Sequence, residues 1–86
     1  MRVAGDSMLG AGIHDGDLLI VDRAKEPKNG SVIIVVLDGQ LAVKRLGIRR
    51  GKVSLEPEND NYPVQNITEG MEFEVWGVVT NVIHPL

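Results

Sequence analysis

Val32-Ile33-Ile34-Val35-Val36-Leu37-Asp38-Gly39-Gln40-Leu41-Ala42-Val43-Lys44-Arg45-Leu46 is the stretch whose reading decides the fold. Two aliphatic runs of strand length flank Asp-Gly, the dipeptide that best tolerates the two positive φ angles of a tight hairpin turn. With Asp38 and Gly39 as the central turn residues, Leu37 faces Gln40 and Lys44 lies across from Ile33. The register therefore sets a lysine among aliphatic neighbours, where an ammonium ion loses hydration.

Working outward, the same grammar of short apolar blocks and turn residues repeats. Upstream, Leu18-Leu19-Ile20-Val21 follows the turn signal Asp15-Gly16-Asp17, and Pro27-Lys28-Asn29-Gly30 separates that block from the hairpin. As a continuous apolar run, 18–21 is expected to be a strand buried on both faces. Arg2 to Ala4 is a candidate first strand. The segment from Gly5 to Gly12 holds three glycines and is expected to be a loop with, at most, one helical turn. Downstream, Lys52 to Leu55 is a short strand, Glu56 to Tyr62 a polar loop, and Phe73 to Ile83 a valine-rich last strand with a bulge or bend at Gly77. There is no repeat, heptad or linker. The pattern predicts one all-β domain over residues 1–86, built of packed, partly rolled antiparallel sheets.

Composition narrows the function. The 86 residues contain no cysteine, so neither a disulfide framework nor a thiolate metal site holds the fold together. Nine basic and twelve acidic side chains give a net charge of −3, without the clustered positive field that attracts phosphate backbones, so no direct nucleic-acid contact is expected. The longest uncharged apolar run, Val32 to Leu37, falls far short of the roughly 20 residues that span a bilayer. With no signal-peptide pattern, the expectation is a soluble, cytoplasmic protein without membrane contact.

Few residues have the character of chemistry. Gly5-Asp6-Ser7-Met8 sets a serine in a glycine-rich turn, which can expose a hydroxyl and aim backbone N–H groups at a carbonyl oxygen. Ser31 and Ser54 sit at strand starts and are ordinary. A nucleophilic hydroxyl needs a base. His14 and His84 have no carboxylate that the sequence alone puts beside them, whereas Lys44 lies in an apolar strand that favours the neutral amine. Arg45, on the opposite strand face, is expected to be solvated or salt-bridged. The two histidines are far apart in sequence, and the carboxylates show no ligand spacing. No metal site and no cofactor are expected, and Asp15 and Asp17 are assigned to turn chemistry. No glycine-rich phosphate loop is present either.

The segments Arg2-Val3-Ala4-Gly5-Asp6-Ser7-Met8, Gly12-Ile13-His14-Asp15-Gly16-Asp17-Leu18-Leu19, Val43-Lys44-Arg45-Leu46, Glu56-Pro57-Glu58-Asn59 and Trp76-Gly77-Val78-Val79 together resemble the C-terminal domain of the LexA/UmuD family. They occur in that family's order and with its Ser-to-Lys spacing of 37 positions (44 − 7). The resemblance implies a self-cleaving serine peptidase and dimerisation domain of a DNA-damage (SOS) regulator. In it, Ser7 is the nucleophile, Lys44 the general base, the amides of Asp6 and Ser7 the oxyanion hole, and Met8 a packing residue of the loop. It further implies a homodimer, activation by a RecA filament and, for UmuD-type members, service as a subunit of an error-prone DNA polymerase. LexA-type members are transcriptional repressors, and this chain carries features of both branches. Only six residues precede Ser7, so the bond that is cut is expected upstream of this chain. Ala4-Gly5 and Ala11-Gly12, which look like the bond some members cut, are assigned to the loop. Two other readings compete: a truncated signal-peptidase-like enzyme, which shares a Ser-Lys dyad, and a non-catalytic domain that docks on a polymerase or RecA.

Overall fold

The computed structural model describes residues 1–86 as six strands and one 3-10 turn. The strands are β1 (Leu18–Asp22), β2 (Val32–Leu37), β3 (Gln40–Arg49), β4 (Lys52–Glu56), β5 (Gln65–Asn66) and β6 (Phe73–Ile83), and the turn is Leu9–Ala11. They form one continuous antiparallel sheet in the order β1-β6-β2-β3-β4-β5, so the last strand is inserted between the first two. The all-β antiparallel expectation holds. No helix is long and apolar enough to cross a membrane.

The β2–β3 hairpin has the expected register, Leu37 opposite Gln40 and Ile33 opposite Lys44. Its turn uses φ values of 48° at Asp38 and 81° at Gly39, both in the left-handed region that this pair tolerates. A second hairpin was not legible. β3 continues past Leu46 to Arg49 and turns through Arg50 (φ 51°) and Gly51 (φ 75°) into β4. Arg50 is neither Asn nor Asp, so this turn lacked its usual first residue, and the left-handed conformation costs such a residue roughly 1–2 kcal/mol.

β2 lies between β3 and β6 and is buried on both faces. Ile34 joins Val3, Met8, Ile13 and Leu19 on one side; Ile33 and Val35 join Leu46, Leu55 and Val78 on the other. The N-terminal segment covers the first face, with Val3 bonded to Asp17 and Gly16 by backbone hydrogen bonds of 2.8 Å each. Arg2 makes only a single bridge to Leu18, so the candidate strand at 2–4 is one rung long.

β1 departs from expectation. It is the end strand of the sheet, paired with β6 on one side and with only the one-rung bridge from Arg2 on the other; only Leu19 is buried, while Leu18 and Ile20 are 37% and 47% exposed. An apolar run of four residues does not distinguish a strand covered on two faces from one whose outer face is left bare.

β6 carries two irregularities. Against β2 the register slips between Ile34–Gly77 and Val35–Val75, leaving Trp76 as the extra residue next to the expected glycine. A Cβ at Gly77 would lie 2.4 Å from Val21 Cγ1, so any larger residue there must displace Val21. Against β1 it slips again, around Thr80.

Candidate active site

Gly5 opens the serine loop in the left-handed region (φ 93°), and its N–H donates to the Asp15 carboxylate at 2.8 Å. Ser7 follows, half-buried. Met8, buried at 2% exposure in the first apolar cluster, anchors the loop, and its carbonyl accepts the N–H groups of Ala11 and Ile13. The Leu9 amide is satisfied by the Asp6 carbonyl. The N–H groups of Asp6 and Ser7 are not among the paired backbone donors, so they are free to receive an acceptor from outside the loop.

Lys44 reaches the same place from β3. Val3, Ala4, Ser7, Met8, Leu41, Ala42, Val43 and Lys44 together line a cavity of about 150 Å³, six of the eight being apolar. The structure thus brings together the two residues singled out from sequence, without a direct hydrogen bond between them. Lys44 is half-buried and takes part in none of the ion pairs of the molecule. The serines that do hydrogen-bond through their hydroxyls are the two assigned ordinary roles: Ser31 accepts from Lys28 N–H, and Ser54 donates to Glu56.

The cavity runs beside an open strand edge. On one side, residues 40–44 of β3 pair with β2; on the other, pairing with β4 begins only at Arg45 opposite Glu56. Leu41 to Lys44 therefore present unpaired backbone next to Ser7, an edge able to accept an extended peptide.

A second loop holds the serine loop in position, which the sequence did not disclose. The Glu58 N–H donates to the Ser7 carbonyl (2.8 Å), the Gly10 N–H donates to the Glu58 carbonyl (2.7 Å), and Asn59 Nδ2 donates to the Asp6 carbonyl (2.9 Å). Tyr62 completes the clamp by donating its hydroxyl to the Asp6 carboxylate at 2.5 Å. That hydrogen bond, and then the negative charge of Asp6, hold the phenol above its ordinary 10.0. Arg45 ties the clamp to the sheet through an ion pair with Glu58 and a 2.6 Å bond to the Gly30 carbonyl, so of the two expectations, solvated or salt-bridged, the second holds. The only sign in the sequence was the polar run 56–62. Its partners lie about fifty residues away, beyond the reach of any local pattern.

The histidines also differ from expectation. His14 and His84 are distant in sequence, yet both converge on Asp17, whose side chain is fully buried. Asp17 is more than a turn residue: it accepts the His14 backbone N–H at 2.8 Å and contacts His84 Nδ1 at 2.5 Å. Those two bonds, the backbone one foremost, hold its carboxyl below the ordinary 3.8. Asp15 behaves as expected, as a loop-capping acceptor. A cleft of about 700 Å³, lined by Arg49, Arg50 and Lys52 among others, lies at the β3–β4 hairpin and contains neither Ser7 nor Lys44.

Comparison with known proteins shows the family. The chain is 43% identical to Protein ImpA of Salmonella typhimurium over 90 aligned positions, covering 98% of this chain and 57% of that protein. It is 41% identical to the LexA repressor of Paracidovorax citrulli, covering 96% of this chain and 37% of that protein, and 40% identical to Protein SamA of Salmonella typhimurium strain LT2, covering 98% and 57%. The chain thus spans little more than half the length of the longer-matched relatives. The model of the Peptidase S24-like family matches residues 1–80, nearly the whole sheet and both loops around Ser7, and on that match the chain belongs to the Peptidase S24-like family.

Proposed function

We propose that this domain is a self-cleaving serine endopeptidase in which Lys44, as the neutral amine, takes the proton of Ser7 Oγ. The observation that carries the reading is the cavity shared by Ser7 and Lys44 beside the open edge of β3. An extended peptide pairing with Leu41 to Lys44 would present its carbonyl carbon to Ser7 Oγ. The amides of Asp6 and Ser7 would receive the oxyanion, an interaction that such donors make worth about 3–4 kcal/mol in the transition state. Collapse of the tetrahedral intermediate passes the proton from Lys44 to the leaving amine and leaves an acyl-serine, which water then hydrolyses with the same lysine as base. No metal or cofactor enters these steps.

By its likeness to LexA repressor, the chain is further assigned to regulation of the DNA-damage response in the cytoplasm, with a RecA filament as activator and, in a UmuD-type role, an error-prone polymerase as partner. A homodimer is supported by Leu18, Ile20 and Ile83, which lie exposed on one face of the β1–β6 pair.

The test is mass spectrometry of the protein carrying its natural upstream sequence, incubated from neutral to alkaline pH. Cleavage at one bond is expected, faster as pH rises because the base must be uncharged. It should fall at least about a thousandfold in Ser7→Ala and in Lys44→Ala. Normal cutting by Lys44→Ala would remove it as the base. An uncut parent would leave the domain a docking module.

A further inference from the structure

The convergence of His14, Asp17 and His84 lies outside the Ser7–Lys44 cavity, and the proposed peptidase chemistry does not use it. One nitrogen from each imidazole and one carboxylate oxygen lie within 4.8 Å of one another. His14 Nδ1 is 3.6 Å from one Asp17 oxygen, His84 Nδ1 is 2.5 Å from the other, and the two rings stand 5.3 Å apart, tilted by 60°. Around a tetrahedral zinc ion with bonds of about 2.0–2.2 Å, neighbouring ligand atoms stand roughly 3–3.5 Å apart. The two contacts to Asp17 bracket that spacing, and the His14 and His84 side chains, 52% and 64% exposed, have solvent beside them in which to adjust.

The three groups differ in the ways a metal site requires. Asp17 is a fixed anchor, fully buried, with its orientation set by the His14 backbone N–H. Such a bond behind a ligating carboxylate is the usual outer support of a metal site. The imidazoles face solvent and leave a path for an ion to enter. No lysine or arginine pairs with Asp17, so the buried charge is met only by these two rings and a backbone amide. Two imidazoles and one carboxylate, with no thiolate, suit a divalent first-row transition ion, and Zn²⁺ above Mg²⁺ or Ca²⁺.

We propose that His14, Asp17 and His84 form a Zn²⁺-class binding site, with water or a donor from another molecule completing the coordination. The ion would staple the last residues of the chain to the segment that leaves the serine loop, because Ile13, next to His14, is bonded to Met8. The site is independent of whether Ser7 and Lys44 cleave anything.

The decisive experiment is titration of the protein with Zn²⁺ and Co²⁺, followed calorimetrically and by the visible absorption of cobalt. One ion per chain is expected, with a cobalt spectrum of a low-coordinate nitrogen and oxygen site, a higher Tm, and slower amide exchange at residues 13–17 and 82–86. The sequence contains no other histidine and no cysteine. His14→Gln and His84→Gln, both at exposed positions that should leave the fold intact, are each expected to weaken binding at least about tenfold, and the double variant to abolish it. Ser7→Ala should bind as the parent does. Absence of saturable binding, or binding undiminished in the double variant, would overturn the site and leave Asp17 a hydrogen-bonded anchor of the chain end.

Discussion

The two apolar clusters on opposite faces of the sheet are built by different means. Every core member of the second cluster, Ile33, Val35, Leu46, Leu55 and Val78, sits on a strand, so its geometry is set by backbone pairing. In the first cluster, Val3, Met8 and Ile13 come from irregular chain laid over Leu19 and Ile34. No ladder fixes that chain. Its position depends on Met8 as an apolar anchor, on Asp15 and Asp17 as acceptors, and on the clamp from residues 58–62. Val3 and Met8 of this less regular side line the cavity with Ser7, whereas Lys44 comes to it from β3, opposite Ile33 of the second cluster. Stability and site geometry are therefore expected to be separable, both clusters contributing to the first and only the irregular side with its clamp to the second.

The largest effect, and the sharpest test of that division, comes from truncating one buried side chain in each cluster. Leu55→Ala and Met8→Ala should each lower stability by about 2–5 kcal/mol, read from urea unfolding, a large part of the roughly 5–15 kcal/mol of a typical domain. Corrected for the folded fraction, cleavage of the upstream segment should survive in Leu55→Ala and fall in Met8→Ala. Equal loss of cleavage in both would mean that the two faces are not functionally distinct.

A smaller effect is expected from a single methyl group on each side. In Gly10→Ala the new Cβ would lie 2.7 Å from the Glu58 carbonyl oxygen, and in Gly77→Ala 2.4 Å from Val21 Cγ1. Both are overpacked, at a cost of about 1–3 kcal/mol each. Only Gly10→Ala pushes the clamp away from the serine loop. Its cleavage rate is expected to drop by up to about a hundredfold, the scale of a 1 Å misplacement at a reacting centre, whereas Gly77→Ala should cut normally once folded. Comparable rates for the two variants would show that the clamp does not position Ser7.

The same division explains what could be read in advance. The β2–β3 hairpin was legible to the residue because Asp38-Gly39 fixes a turn and the turn fixes a register, placing Lys44 opposite Ile33. The serine loop was legible in kind, from its glycines and from likeness to a family. Three features were not. The exposure of Leu18 and Ile20 depends on what lies beside and above β1, the hairpin at Arg50-Gly51 lacks the usual residue, and the two histidines meet at Asp17 only through tertiary folding. The clamp is likewise a set of contacts between loops some fifty residues apart. Local periodicity carries pairing and facing; it carries nothing about which loops meet.

The smallest expected effect probes the clamp without disturbing either cluster. Tyr62 is the only tyrosine, so the alkaline ultraviolet titration of the protein reports one phenol, alongside a single tryptophan that does not ionise. Because its bond to Asp6 raises its folded-state value above 10.0, the bond's contribution to stability is fully present below pH 10.0. It is lost as pH rises through the folded-state value, since the unfolded chain ionises first. Asp6→Asn keeps a shape similar to the carboxylate but removes the charge, so the phenol should titrate closer to 10.0 and the alkaline loss of stability should shrink. Both exposed partners contribute little to global unfolding, so neutral-pH stability should be nearly unchanged. The cleavage rate is the more telling readout, because Asp6 also carries an amide assigned to the oxyanion. A few-fold slowing in Asp6→Asn, matched by Tyr62→Phe, would place the effect in the side-chain bond that the first weakens and the second removes. A slowing in Asp6→Asn alone would place it in the charge beside Ser7, and no slowing in either would leave the bonds from Glu58, Gly10 and Asn59 as the whole of the clamp.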